Sequence, residues 1–500
     1  MVKAKNRTLF GSQPKYFRSN KNRNQFLYSP FCIILLGIMT FAAFAYSKEL
    51  LFYGFVTAYA LYVIAFCHDL SPIMPLFLFC YVTPSLSNNP GMSEDGIFYG
   101  TSRIIILCYA AIVIIALLIR ITFDQSIGWA KLFKMRRSLL GGMLALGAAY
   151  LISGIGSQYF FQDFYRNTFF ALIQFLSIFF LYFVFSATVD WKKFNFDYFA
   201  WSGLVAGFVV LAELAWLYAT QEIWIDGAIF RYALYTGWGT YNNMGAIIVA
   251  AIPFAFYLAQ KKKHNSIYLI LAALLMVGVV FSCSRSCMGF AFLTTLLSCI
   301  YALVKTENKK EFAITSILMA VPFVIAAIML WDRAADIFQH IPSIMDSVDG
   351  QTVYGDSGRL EMYKEGIKRF LQKPIAGQGF FSRDYAFPEF STVESFSNFF
   401  PPRLHNTIIQ ILSTCGIIGI LAYAYHRTQT VCLLVKKRSI ENVYIGIYLL
   451  GLLGMSLLDC HFFNVGPTLF YSIALAVAEF SQSKKERAKK GLFALFSSRN

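Results

Sequence analysis

Apolar runs of about 20 residues recur along nearly the whole chain, separated by short polar connectors. Each run is long enough to cross a bilayer as a helix, the one single-segment structure that satisfies all its own backbone groups in lipid. The pattern predicts an all-α polytopic membrane protein. Composition agrees, with 57% hydrophobic and only 14% charged residues, against about 25% charged in a soluble domain. Fourteen stretches qualify as spans, roughly 30–46, 49–66, 72–86, 101–121, 138–155, 168–189, 197–219, 240–260, 266–283, 287–304, 312–331, 405–425, 442–459 and 466–480. The third contains Pro72, Pro75 and Pro84 and reads equally as re-entrant, so the expectation is 12–14 transmembrane helices.

The net charge of +16 raises the question of a nucleic-acid partner, and the distribution of charge answers it. The first 29 residues are basic, as are the connectors at Lys131 to Arg137, Lys261 to Lys263, Lys305 to Lys310 and Lys436 to Arg438, and the tail from Lys484. By the positive-inside rule these lie on one side, so both termini are expected in the cytoplasm. The basic excess is topological and implies no nucleic acid. The first apolar run lacks a small-residue cleavage pattern and reads as a retained span. The expected organisation is a basic segment (1–29), eleven helices (30–331), a large extracytoplasmic loop (332–404), three helices (405–480) and a basic tail (481–500) that suits anionic inner-leaflet lipid. The ten cysteines lie in or beside spans, none in the loop, and no CxxC occurs. They read as small core hydrophobes rather than a disulfide framework.

Within the loop, Leu360, Tyr363, Ile367, Phe370 and Leu371 recur at helical spacing from Ser357, with Glu361, Lys364, Glu365 and Lys368 on the other face. This predicts an amphipathic helix at the membrane surface, capped by Ser357 or Asp356 and ended by Pro374. Arg359 then falls in its first turn, where the macrodipole disfavours a cation unless an anion is bound there. A solvated surface arginine is the plain alternative. Arg285, in Phe281-Ser282-Cys283-Ser284-Arg285-Ser286-Cys287, is placed at the outer end of the ninth span. A lone arginine near membrane depth points to function, while a cation capping helix carbonyls explains it structurally. His405 follows Pro401-Pro402 and opens the twelfth span. It is the side chain best suited to accept a proton, with an interfacial histidine that has no task as the plain alternative and His340 and His461 as weaker rivals. Gly377 and Gly379 suit a loop that approaches a ligand closely, or simply follow the helix stop. Asn242, Asn243 and Asn406 are candidate substrate contacts, with helix capping as the competing explanation for the first two. No acidic spacing in the loop suits a metal, and no cofactor motif is present.

Taken in order, the SRS-type arginine, the long penultimate exterior loop with GRxxxY (Gly358 to Tyr363), the PxxGxGF run (Pro374 to Phe380) and the closing His405-Asn406 with Gly416 and Gly419 beyond form one pattern. It resembles the O-antigen ligase and Wzy-type polymerase superfamily, from about Arg231 to Leu421. The resemblance implies a GT-C-like membrane fold at the plasma membrane and metal-independent, inverting glycan transfer from an undecaprenyl-diphosphate carrier to a glycan acceptor on the outer face. Arg285 and Arg359 would hold the diphosphate and His405 would be the general base. A chain-length regulator is a further expected partner. The Phe-rich centre of the loop, Gln378 to Pro402, matches nothing in the pattern. A lipid-linked oligosaccharide flippase and a cell-wall polymerase of the shape-and-division type have a similar span count; the flippase lacks the long loop ending in His-Asn.

Overall fold

A computed structural model describes residues 25–67, 69–82, 100–123, 133–157, 160–161, 164–221, 224–225, 228–229, 234–261, 265–329, 358–380 and 404–481. The chain is an all-α polytopic membrane protein. Its helices are α1 (Pro30–Ala45), α2 (Glu49–Phe66), α3 (Met74–Phe79), α4 (Gly100–Phe123), α5 (Leu140–Leu151), α6 (Phe164–Thr188), α7 (Phe196–Thr220), α8 (Tyr241–Lys261), α9 (Asn265–Phe281), α10 (Arg285–Lys305), α11 (Lys309–Met329), α12 (Gly358–Gln372), α13 (Thr407–Lys436), α14 (Ile440–Ser456) and α15 (Val465–Phe480). Among the described residues, six helices are long and apolar enough to cross a membrane, and six shorter apolar helices of 10–17 residues accompany them.

The third expected span is corrected. Pro72 and Pro75 confine it to a 3-10 turn, Ser71–Ile73, and the six-residue α3, too short to cross as a helix. Pro84 lies outside the described residues. Two hairpins absent from the sequence reading, Trp224–Ile225 with Ala228–Ile229 and Tyr235–Thr236 with Gly239–Thr240, join α7 to α8.

Helix α8 forms the centre of the bundle, and its apolar window is wholly buried. Small residues let its neighbours approach: a Cβ on Gly207 of α7 would meet Ala251, and one on Gly245 of α8 would meet Cys287 of α10. Close backbone approach of this kind replaces the hydrophobic drive that lipid cannot supply.

Helix α13 runs on past its expected end because His426 and Arg427 find partners inside the bundle. His426 Nε2 lies 2.7 Å from the Tyr471 hydroxyl, and the Arg427 guanidinium lies over Tyr423, Phe462 and Tyr471, a cation–π arrangement. The helix is interrupted at Gly416 (φ 63, ψ −157). Such a break strands peptide groups that lipid cannot satisfy, and residues 374–379 fill it. Ile417 N donates to Pro374 O (2.8 Å) and Ile418 N to Ile375 O (3.2 Å), while Gln378 N and Gly379 N donate to Ser413 O (2.8 Å) and Thr414 O (2.9 Å). Beyond them Gly154 N donates to Ala376 O (3.0 Å) and Phe380 N to Asn167 Oδ1 (2.5 Å).

Two glycines make this insertion possible. A Cβ on Gly377 (φ 68) would come within 2.3 Å of Thr414 C, and one on Gly416 within 2.4 Å of Ile375 O. Gly377→Ala or Gly416→Ala is therefore expected to cost about 3 kcal/mol or more, combining left-handed strain with a backbone clash. A melting temperature in detergent equal to wild type for both variants would contradict the insertion.

Candidate functional site

Helix starts and breaks gather around one buried carboxylate, Asp459, in the turn between α14 and α15. Its Oδ1 lies 3.2 Å from His405 Nδ1 and accepts from Cys460 N at 2.6 Å. Its Oδ2 accepts from Asn242 Nδ2 at 2.7 Å, and its backbone carbonyl from the Thr407 hydroxyl at 3.5 Å. Asn242 Oδ1 in turn accepts from Ser284 Oγ at 2.7 Å. The side chain of Asp459 is 6% exposed and that of His405 30%. Burial pushes the Asp459 pKa up, but the His405 hydrogen bond, the charges of His461 and His405 and the Cys460 N–H together hold it well below the usual carboxylate range. Asp459 is therefore a carboxylate at neutral pH, and with Nδ1 of His405 turned to it, Nε2 is left as the proton-accepting nitrogen.

The backbone around His405 is strained and held. His405 adopts φ 48, an uncommon conformation for a residue with a Cβ. Its carbonyl accepts from the Tyr363 hydroxyl of α12 at 3.1 Å, and the preceding Leu404 N donates to Gln410 Oε1 at 2.8 Å. Burial raises the Tyr363 pKa, Arg359 lowers it and Asp459 raises it. Both charges thus reach one hydroxyl, which places Arg359 on the same side as the His405–Asp459 pair.

Arg285 is corrected in position. It does not end α9, which stops at Phe281, but begins α10 after a break in which Cys283 has φ 56. The C-terminal capping explanation therefore falls. Ser284 stands at the N-cap without a side-chain capping bond, and its hydroxyl donates to Asn242 Oδ1. Arg285 and Arg359 (the latter in α12, Gly358–Gln372) each lie in the first turn of a helix, where a cation is unfavourable and an anion favourable.

The remaining candidates have intramolecular partners. Gly377 and Gly379 make their close approach to α13 and, for Gly379, to Asn167. Asn243 Oδ1 lies 3.2 Å from His461 Nδ1 and accepts from Asn464 at 2.5 Å, so neither it nor Asn242 acts as a helix cap. Asn406 is the N-cap of α13, accepting from Ile408 N (2.9 Å) and Ile409 N (3.1 Å), and its Nδ2 donates to Leu457 O at 2.8 Å. His461 is buried beside Asn243. His340, Ser357, Asp356 and the Phe-rich loop centre lie outside the described residues, apart from Gln378 to Phe380.

Sequence reasoning missed Asp459, Ser284 and the bridging role of Asn242. One signal was available: Asp459 is the sole acidic residue between Glu441 and Glu479, at the end of an apolar run where a carboxylate needs a reason.

Residues 270–424 match the family model described as O-Antigen ligase. The chain is also 22% identical over 261 residues to an O-antigen ligase of Escherichia coli (strain K12), covering 50% of this chain and 60% of that protein. The chain is thus similar to O-antigen ligases over part of its length, and the match spans about three fifths of that relative. The family match takes in Arg285, Arg359, Gly377, Gly379, His405 and Asn406, while Asn242, Asn243 and Asp459 lie beyond its ends.

Because Asn406 ties the start of α13 to α14, Asn406→Ala is expected to lower stability by roughly 0.5–2 kcal/mol. Asn406→Asp should recover the capping part of that loss, since it keeps the acceptor and loses only the bond to Leu457. Equal melting temperatures for wild type and Asn406→Ala would contradict the capping role.

Proposed function

We propose that this chain is a membrane glycosyltransferase of cell-surface polysaccharide assembly, acting on undecaprenyl-diphosphate-linked glycans at the outer face of the plasma membrane. The observation that carries the reading is the hydrogen-bonded series from His405 through Asp459 and Asn242 to Ser284, which joins a proton acceptor to the helix start bearing Arg285. In this reading the two termini are cytoplasmic and residues 332–404 extracytoplasmic. No nucleotide sugar is needed, because the lipid-linked diphosphate is already the activated leaving group.

The reaction follows from the roles. An acceptor hydroxyl gives its proton to His405 Nε2 and attacks the anomeric carbon. The bond between that carbon and the diphosphate oxygen breaks from the opposite face, so configuration inverts. Asp459 stabilises the imidazolium that forms, as a buried carboxylate does in other histidine bases. Arg285, Arg359 and the first-turn N–H groups of α10 and α12 stabilise the charge gathering on the departing diphosphate. Arginine suits this task because its fixed fork matches phosphate oxygens, and this neutralisation requires no metal.

Polymerisation of repeat units is the favoured form, with transfer of a finished glycan to a different acceptor as the alternative in the same family. Loss of the gene separates them: capped single-repeat glycans mark a polymerase, and full-length chains stranded on the carrier mark a ligase. For the chemistry, purified protein reconstituted with a synthetic undecaprenyl-diphosphate oligosaccharide and EDTA is expected to extend or transfer the glycan. His405→Ala and Asp459→Asn should each reduce the rate by roughly 10²–10⁴-fold, the usual share of general base catalysis. Arg285→Ala and Arg359→Ala should abolish measurable transfer. Wild-type rates in all four variants would sink the mechanism, and complete dependence on an added divalent ion would remove its metal-independent form.

A further inference from the structure

A carboxylate assists a histidine only if one oxygen is kept facing the ring. Asp459 has a soft terminal torsion, and its own turn engages Oδ1 alone, through Cys460 N at 2.6 Å. The second oxygen is held from outside that turn, by Asn242 Nδ2 at 2.7 Å. The amide is itself fixed at both ends. Its Oδ1 accepts from Ser284 Oγ at 2.7 Å, its backbone carbonyl from Cys287 Sγ at 3.5 Å, and the residue is 6% exposed. A flipped amide would set its oxygen against the ionised Asp459, so the charge selects the observed orientation. Away from water, both hydrogen bonds act at close to full strength.

We infer that Asn242 is a positioning residue for the acid–base pair: it aims Asp459 at His405 and ties that pair, through Ser284, to the helix start that carries Arg285. The inference rests on the reading of His405 as general base and adds a residue which lies outside the segment matched by the family model. Asn242 touches no reacting atom in this role and acts only through Asp459.

The groups that face Asp459 are His405 from the segment before α13, Cys460 and His461 of its own turn, Cys287 of α10 and Tyr363 of α12. Removing the Asn242 donor takes a hydrogen bond from the charged form of Asp459, which therefore binds a proton more readily. Asn242→Ala is expected to lower kcat about tenfold or more, the low end for a hydrogen bond to a charged group. KM for the lipid-diphosphate donor should stay within about twofold, because binding of the ground state is untouched. On the acid side, activity should be lost at a higher pH than in wild type.

Asn242→Asp keeps the volume and reverses the sign. Two facing carboxylates cannot both ionise cheaply, so its deficit should deepen as pH rises, opposite to Asn242→Ala. The experiment is a pH series of steady-state transfer by both variants and wild type in liposomes, with melting temperatures measured alongside. Opposite pH trends with unchanged KM support the inference. A wild-type kcat in Asn242→Ala, a loss that is equal at every pH and tracks a lower melting temperature, or a raised KM at unchanged kcat would each overturn it. His405→Ala, run in parallel, separates the two levels: an active His405→Ala removes the base reading itself, whereas an inactive one with a flat Asn242 series removes only the positioning role.

Discussion

Four backbone hydrogen bonds between residues 374–379 and the break in α13 tie together the end of the molecule that carries α12 and His405. In an apolar medium a helix cannot simply stop and restart, since the stranded N–H and C=O groups have no water to turn to. The chain answers by lending α13 a second strand of backbone, the segment that follows α12. As a result α12 cannot be placed without α13, and Tyr363, Arg359 and the approach to His405 are set by that single fit. Gly154 and Asn167 bind the far side of the same segment, so α5 and α6 share in holding it.

The second organising fact is electrostatic. The starts of α8 and α13 bond Asp459 directly, through Asn242 and Thr407, and the start of α10 is joined to it through Ser284 and Asn242. Each brings the positive end of a helix dipole. The His405 hydrogen bond, the charges of His461 and His405 and the Cys460 N–H keep this nearly buried carboxylate ionised. The left-handed residues Cys283 and His405 lie at two of these starts. Strain collected at such places persists only where the surroundings over-determine it, and here the Tyr363, Gln410 and Tyr218 side chains do so, the last by donating to Phe281 O at 2.8 Å.

Much of the helical framework was legible in the sequence because span length is dictated by lipid thickness rather than by detailed packing. The run at 49–66 coincides with α2, and those at 197–219 and 240–260 differ from α7 and α8 by a residue at each end. The amphipathic α12 was readable from its spacing. The errors have physical causes. The span expected at 405–425 ended too early because His426 and Arg427 looked like a polar boundary, and only the Tyr471 hydroxyl and three aromatic rings explain their burial. Arg285 was assigned to the wrong helix end because a three-residue break inside a polar-small run leaves no periodicity to read. Asp459 escaped notice because its partners, Asn242 and His405, are 217 and 54 residues away along the chain, a relation that hydropathy does not encode. The glycines of the PxxGxGF run pointed to a close backbone approach, and the structure supplies an intramolecular partner for it.

In the proposed reaction the helix starts bearing Arg285 and Arg359 receive a diphosphate while His405 Nε2 faces the acceptor. The most direct test of this arrangement is a structure with a non-cleavable lipid diphosphonate glycan bound. The two phosphorus centres are expected at the first turns of α10 and α12, with the anomeric carbon towards His405. Phosphorus density away from both arginines, or a glycan directed away from His405, would contradict it.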